Sequence, residues 1–368
     1  MYGKMNRNMY SADYLRNFTY RFFSKLGCPS EDASTIADIL VAAEKRGISS
    51  HGMIRIRNYY LMHEKGRINI RPEIKKERET PSTAVVDGDG AYGMVAGKRS
   101  MEIAIEKART AGTGWVTTNN TNHFGIAGYY AMMALEEDMI GIAMTNANPL
   151  VAPTFSKSRL LGTNPIAVAV PAGKYPPYVA DFATTPIARG KLTIKGTLGE
   201  SVEEGLVQDA EGRPSNNPDI IKEGGAILPL GSDLEHGSHK GYCLNSIVDI
   251  FSAVFSGANF GPFVPPQVPF LSPREEQVGR GLGHFFGAMR IDAFQEKDEF
   301  KDRMDQWIET FRQAESIESQ PEVMIPGDPE RAMEEKTERE GIELLDSVIK
   351  DLGELAEKLD IEFETNIG

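Results

Sequence analysis

Cysteine is scarce. The 368 residues include two, Cys28 and Cys243, and neither belongs to a CxxC pair or a Cys/His cluster. That excludes a disulfide framework and a cysteine-built zinc centre, and it predicts two reduced, buried thiols. Long apolar runs are missing as well. No stretch approaches the roughly 18 uninterrupted apolar residues of a membrane span. The opening MYGKMNRNMYSADYL lacks the apolar core of a signal peptide. A cytoplasmic location away from membranes is therefore expected. Positive charge is in deficit, with 40 Lys and Arg against 53 Asp and Glu, for a net charge of −13. Such a surface repels phosphate backbones and anionic lipid, so nucleic acid and membranes are poor partners. It also repels acidic metabolites, so any site for one needs local arginine, lysine or histidine.

What is present fits a folded α/β enzyme of two or three domains. Residues 11–47 read as helix-rich, with Ser30 as an N-cap, Glu31 and Asp32 in the first turn, and Gly47 as the stop. A second helix is expected from Ser49 to about Gly66. Strands are expected at 83–87, 115–118, 141–146, 166–170, 178–182 and 288–294, with helices at 101–108, 127–138 and 241–255 among them. This alternation means α/β layering. Residues 193–229 read as a long excursion and 257–281 as a Pro/Gly-rich loop. Charged helices at 296–319 and 329–360 flank a short predicted strand at 322–325.

Several motifs carry chemistry. Gly88-Asp-Gly-Ala-Tyr-Gly93 is a literal GxGxxG between a strand and a helix, which is the setting of a Rossmann phosphate turn; a plain structural turn is the favoured reading. In Ser49-Ser-His-Gly-Met-Ile-Arg55, Ser50 can cap a helix and place His51 in its first turn, where the dipole lowers the imidazole pKa. A neutral imidazole is what a base needs to take a hydroxyl proton. Arg55, four residues on, can grip a carboxylate. The bland alternative is a capping serine beside a surface histidine and arginine. His123 sits in the turn NNTNHFG after a strand, as a functional group or as loop packing. GTNP at 162–165 and DFATTP at 181–186 combine a strand-end carboxylate with small hydroxylated residues. In HGSHKG at 236–241, a lysine precedes an apolar helix, as at an anion site. His236 and His239 are three residues apart, but no third ligand stands nearby, so no metal site is expected.

SSHGMIR (49–55), TNHFG (121–125), GTNP (162–165), DFATT (181–185), GSHKG (237–241) and VMIPG (323–327) occur in this order. Together they resemble the malate/L-lactate dehydrogenase family, which is unrelated to the Rossmann lactate dehydrogenases. That family also includes sulfolactate, ureidoglycolate and 2,3-diketogulonate dehydrogenases. The resemblance spans about residues 11–358. It implies a non-Rossmann α/β fold of the L-sulfolactate-dehydrogenase type. Residues 1–80 and 296–368 would form a helical, dimerising domain, and 81–295 a cofactor-binding domain with the excursion at 193–229. A homodimer is implied, and the GxGxxG has no cofactor role.

The resemblance also assigns roles. His51 is the proton donor and acceptor, with Asp181 as its polarising partner. Ser50, Arg55, His123 and Asn148 would face substrate. His123, Asn164, Asp181, Phe182, Ala183, Thr184, His239, Lys240, Gly241, Pro326 and Gly327 would line NAD, with NADP as the alternative. The implied reaction interconverts a small 2-hydroxy acid and its 2-keto acid, malate first, then lactate or sulfolactate. Reduction of a cyclic imine on the same fold is one rival, and a non-catalytic scaffold is another. The chain departs from the family pattern at Asn146-Ala-Asn-Pro149. It does so again at Phe155-Ser-Lys-Ser-Arg159, where Lys157 and Arg159 would sit near the site or in a solvated turn.

Overall fold

Strands of the central sheet turn successive side chains to opposite faces: Ile166–Val170 buries every second residue, Ala167 and Ala169. A computed structural model describes residues 8–364, apart from 270, 321 and the side chain of Thr197. The chain opens with β1 (Met9–Tyr10), α1 (Ala12–Lys25), α2 (Ser30–Lys45) and α3 (Ile56–Glu64). Next come β2 (Lys75–Glu79), β3 (Thr83–Asp87), α4 (Gly93–Ala111), β4 (Thr113–Thr121), α5 (Ala127–Met133), β5 (Met139–Thr145), β6 (Ile166–Val170) and β7 (Tyr178–Phe182). The excursion holds α6 (Arg189–Leu198), β8 (Val207–Gln208), β9 (Pro214–Ser215) and β10 (Ala226–Ile227). It is followed by α7 (Ser238–Asp249), β11 (Leu282–Arg290), α8 (Lys297–Arg312), α9 (Asp328–Glu340), β12 (Ile342–Glu343) and α10 (Asp346–Leu359).

Seven strands form one mixed sheet in the order β2-β3-β4-β11-β5-β6-β7. Only β3 and β4 run parallel, joined by α4 as a βαβ unit. β11 lies antiparallel between β4 and β5, with Phe286 opposite both Val116 and Ala143. The two chain ends meet. Tyr10 pairs with Ile342 in a two-stranded ribbon, and Arg57 on α3 reaches Asp351 and Glu354 on α10. Leu15, Phe18, Ile36 and Leu40 from the start, and Ile349 and Leu352 from the end, share one core with Val86, Val116 and Phe286 of the sheet. Among the described residues, no helix is long and apolar enough to cross a membrane.

Several expectations need correction. β11 starts at Leu282, not 288, because its first seven residues are all buried and show no alternation. No strand forms at 322–325; the short strand of this region is β12. A helix, α6, opens the excursion. The segment from Ser49 begins as two 3₁₀ turns, Ser49–His51 and Met53–Arg55, before α3. Pro29, not Ser30, takes the cap position of α2. Cys28 is buried, but Cys243 is exposed on α7. The GxGxxG turn closes on the protein itself. Gly88 and Gly90 donate their N–H groups to the carbonyls of Asn119 and Asn120, and Asn122 Nδ2 donates to the Gly90 and Ala91 carbonyls. A Cβ on Gly93 would fall 2.0 Å from the Asn122 carbonyl oxygen. The glycines thus admit the loop that carries His123, and their amides are spent on it.

Candidate active site

The 49–55 segment is built on Glu44. This buried carboxylate accepts the Met53 N–H at 2.7 Å, and a Cβ on Gly52 would stand 2.2 Å from its Oε1. Only glycine fits over it, which bends the chain between the two 3₁₀ turns. Burial pushes the Glu44 carboxyl up to about 6. On the first turn, Ser50 Oγ lies 2.9 Å from His51 Nδ1. On the second, Arg55 Nε donates to the Ser50 carbonyl at 2.6 Å. Ser50, His51 and Arg55 are therefore one unit.

His123 meets that unit from the sheet side. Its ring stacks on His51, centroids 5.3 Å apart and planes 23° apart. Tyr59 OH lies 2.8 Å from His123 Nδ1, and the Gly125 N–H donates to the same nitrogen at 3.3 Å. A nitrogen that accepts a backbone N–H carries no proton, so the neutral His123 ring holds its proton on Nε2. Asn148 joins through Gln267: Gln267 Oε1 accepts the His123 N–H, and the Gln267 N–H donates to Asn148 Oδ1, each at 3.0 Å. Burial first, then the Arg55 charge, pushes His51 down to about 3. Burial, Arg55 and then His51 hold His123 well below the ordinary imidazole range. The expected helix dipole is not the cause, because the α-helix begins only at Ile56. Both rings are thus neutral near pH 7, and neither Nε2 has a hydrogen-bond partner among the described residues.

Asp181 does not complete this unit. It ends β7 with its Oδ2 accepting the Gly128 N–H at 2.8 Å, and Ser50 is the group beside His51. The polarising pair His51–Asp181 expected from the resemblance is not formed. Asp181 is instead pushed up to about 6 by burial, against the Gly128 hydrogen bond. Around it, the Pro326 carbonyl accepts the Val179 N–H, and Gly327, at φ 99°, packs on Val179. Phe182 is exposed beside them. Asp181, Phe182, Pro326 and Gly327 thus form a second cluster along β7.

Asn164 and Thr184 turn inward. Asn164 is fully buried; its Oδ1 accepts the Ala147 N–H and its Nδ2 donates to Asn245. Thr184 donates to the carbonyls of Thr163 and Asn164. Neither side chain is free for a cofactor, and both brace the loop before β6. Ala183 follows Phe182 in a half-buried position. His239 and Lys240 lie exposed in the first turn of α7, while Gly241 is buried with no room for a Cβ beside the Leu230 carbonyl. The contacts above do not connect this third group to His51. His236 pairs with Asp233 at 2.7 Å. Lys157 is exposed and Arg159 donates to the Ile221 carbonyl, so the FSKSR stretch belongs to the excursion.

Sequence patterns gave no hint of Tyr59, Gln267 or Arg189. Tyr59 is eight residues from His51 and reaches His123 only through the tertiary fold. Arg189 opens α6 and lines the same cavity as Ser50 and Arg55.

A mixed sheet with β11 threaded through its middle is not the doubly wound parallel sheet of Rossmann enzymes. It matches solved α/β dehydrogenases instead. The malate dehydrogenase of Pyrococcus horikoshii OT3 superposes with a TM-score of 0.89 at 38% identity, covering 99% of each chain. Over 351 residues its sequence is 40% identical, covering 95% of each chain. The L-sulfolactate dehydrogenase of Methanocaldococcus jannaschii is 38% identical over 93% of this chain and 95% of its own. The Δ1-piperideine-2-carboxylate reductase of Pseudomonas syringae superposes with a TM-score of 0.81 at 25% identity, over 95% of this chain and all of its own. The model of the malate/L-lactate dehydrogenase family matches residues 10–353, and the chain belongs to that family of oxidoreductases.

Proposed function

We propose that the chain interconverts a small 2-hydroxy acid, malate first, and its 2-keto acid with a nicotinamide cofactor. One observation carries this reading: two stacked neutral imidazoles, each anchored through Nδ1, beside an arginine with no carboxylate partner among the described residues. Arg55 holds the substrate carboxylate through its free guanidinium nitrogens. In oxidation, neutral His51 takes the hydroxyl proton through Nε2, and Ser50 Oγ at Nδ1 fixes the ring. In reduction, the same ring returns the proton to the new alkoxide. His123, with its proton on Nε2, donates a hydrogen bond to the reacting oxygen and polarises it. Tyr59 and the Gly125 N–H hold it in that tautomer.

The cofactor supplies the hydride acceptor in oxidation and the hydride donor in reduction. The residues present suit it. Phe182 and Pro326 offer apolar surface beside β7, and Lys240 brings positive charge for phosphate. NAD is the first choice and NADP the alternative. The exposed apolar face of Ile247, Ile250, Phe251 and Val254 supports pairing with a second copy as a homodimer. The meeting of the chain ends supports their grouping into one helical domain over the sheet.

The likeness to the piperideine carboxylate reductase favours one second reading, imine reduction at the same site, in which the proton goes to nitrogen. Oxaloacetate, pyruvate, sulfopyruvate and a cyclic imino acid, each assayed with NADH and NADPH, separate the readings. Oxaloacetate is expected to turn over fastest. Turnover of the imino acid alone would establish the second reading, and no loss of reduced cofactor with any substrate would overturn both.

A further inference from the structure

A cavity of about 470 Å³ is lined by Ser50 and Arg55, the residues that flank His51 in the 49–55 segment. Ser50 and Arg55 form one wall, Arg189 and Ile194 of α6 another, and Leu345 before α10 with Val348 on it a third. A Cβ on Gly190 would come within 3.1 Å of Ser50 Cβ, so the start of α6 rests directly on the serine next to His51.

Two guanidinium groups face this space. Arg55 commits its Nε to the Ser50 carbonyl and forms no ion pair among the described residues. The Arg189 side chain has no hydrogen bond or ion pair with any described residue. Burial pushes both guanidinium groups below their ordinary range, and Arg189 lowers Arg55 further. The acids on the same walls form no ion pair with them among the described residues. Glu44 has its Oε1 on the Met53 N–H, and Glu343 is exposed and makes no ion pair among the described residues. Two half-buried, unpaired cations in one cavity of an acidic protein repel each other and lose hydration. An anion with two charged ends removes both penalties at once.

We propose that Arg189 binds the second acid group of the substrate, the carboxylate or sulfonate remote from the reacting carbon, while Arg55 holds the carboxylate beside it. This rests on the 2-hydroxy acid reading above. It makes the cavity selective for dianionic hydroxy acids over lactate, and Arg189 a specificity-determining residue.

The test compares oxaloacetate, sulfopyruvate and pyruvate on wild type, Arg189→Leu and Arg189→Lys. Arg189→Leu is expected to lower kcat/KM for oxaloacetate and sulfopyruvate by about 10²-fold, chiefly through KM, because a charge-assisted pair is lost. Pyruvate is expected to be unaffected, and Arg189→Lys to recover part of the loss. The ratio of substrates within one preparation does not depend on its folded fraction. Equal loss on all three, or no loss on the dianions, would overturn the assignment. If wild type reduces no keto acid with either cofactor, the dehydrogenase reading itself fails. If it reduces them and Arg189→Leu keeps the wild-type substrate ratio, only the arginine assignment fails.

Discussion

His284 and His51 feel the same physical push and answer it differently. Burial drives each imidazole down to about 3. His284 sits on β11 with both ring nitrogens spent, Nε2 at 2.5 Å from Thr121 Oγ1 and Nδ1 at 2.7 Å from Thr145 Oγ1, and its ring stacked on Phe124. It ties β4 to β5 across β11. His51 is held only at Nδ1, on a turn braced by Glu44. A shifted pKa alone therefore does not separate the two histidines; the nitrogen left free on His51 does.

Three experiments test the contrast between the two histidines. The largest effect is expected from His51→Ala, which should lower kcat by about 10²–10⁴-fold while the melting temperature stays near wild type. Wild-type turnover in that variant would remove His51 from the chemistry. Next is His284→Ala, with the reverse signature. Losing two buried hydrogen bonds and a stacked ring should cost about 2–4 kcal/mol in denaturant unfolding, with kcat per folded molecule preserved. The smallest effect is in the pH dependence. His51 is neutral when folded but protonates in the unfolded chain below its ordinary 6.5, so the unfolded state binds the extra proton and the fold loses stability as pH falls from 6.5 toward about 3. Relative to wild type, His51→Ala should therefore gain about 1 kcal/mol of stability between pH 7.5 and 5.5. A difference independent of pH would show that the ring is not held neutral.

Much of this was legible in the residues themselves. β6 and β7 matched because each is a short, apolar-rich run whose ends carry turn residues. β11 did not, because a strand buried on both faces has no polar side to alternate with. His51, Arg55 and His123 could be picked out because serine, glycine and asparagine around them signal turns. His284 lies in the run LGHFFGAMR, which gives no such signal, and its partners are 139 and 163 residues away. Arg189 was hidden for a similar reason: its meaning lies in the cavity it shares with Arg55, and no local pattern records that. The expected pairing of Asp181 with His51 came from the resemblance alone, and the geometry puts Ser50 there.

The placement of β11 also bears on how the molecule is made. Its two neighbours, β4 and β5, are complete by residue 145, yet the strand that joins them ends at residue 290. Until that late segment is made, the edges of β4 and β5 that β11 pairs have no partner, and Thr121 and Thr145 lack the imidazole that bridges them. Assembly is thus gated by long-range closure. A fragment that ends between residues 145 and 282 would expose those edges to other chains.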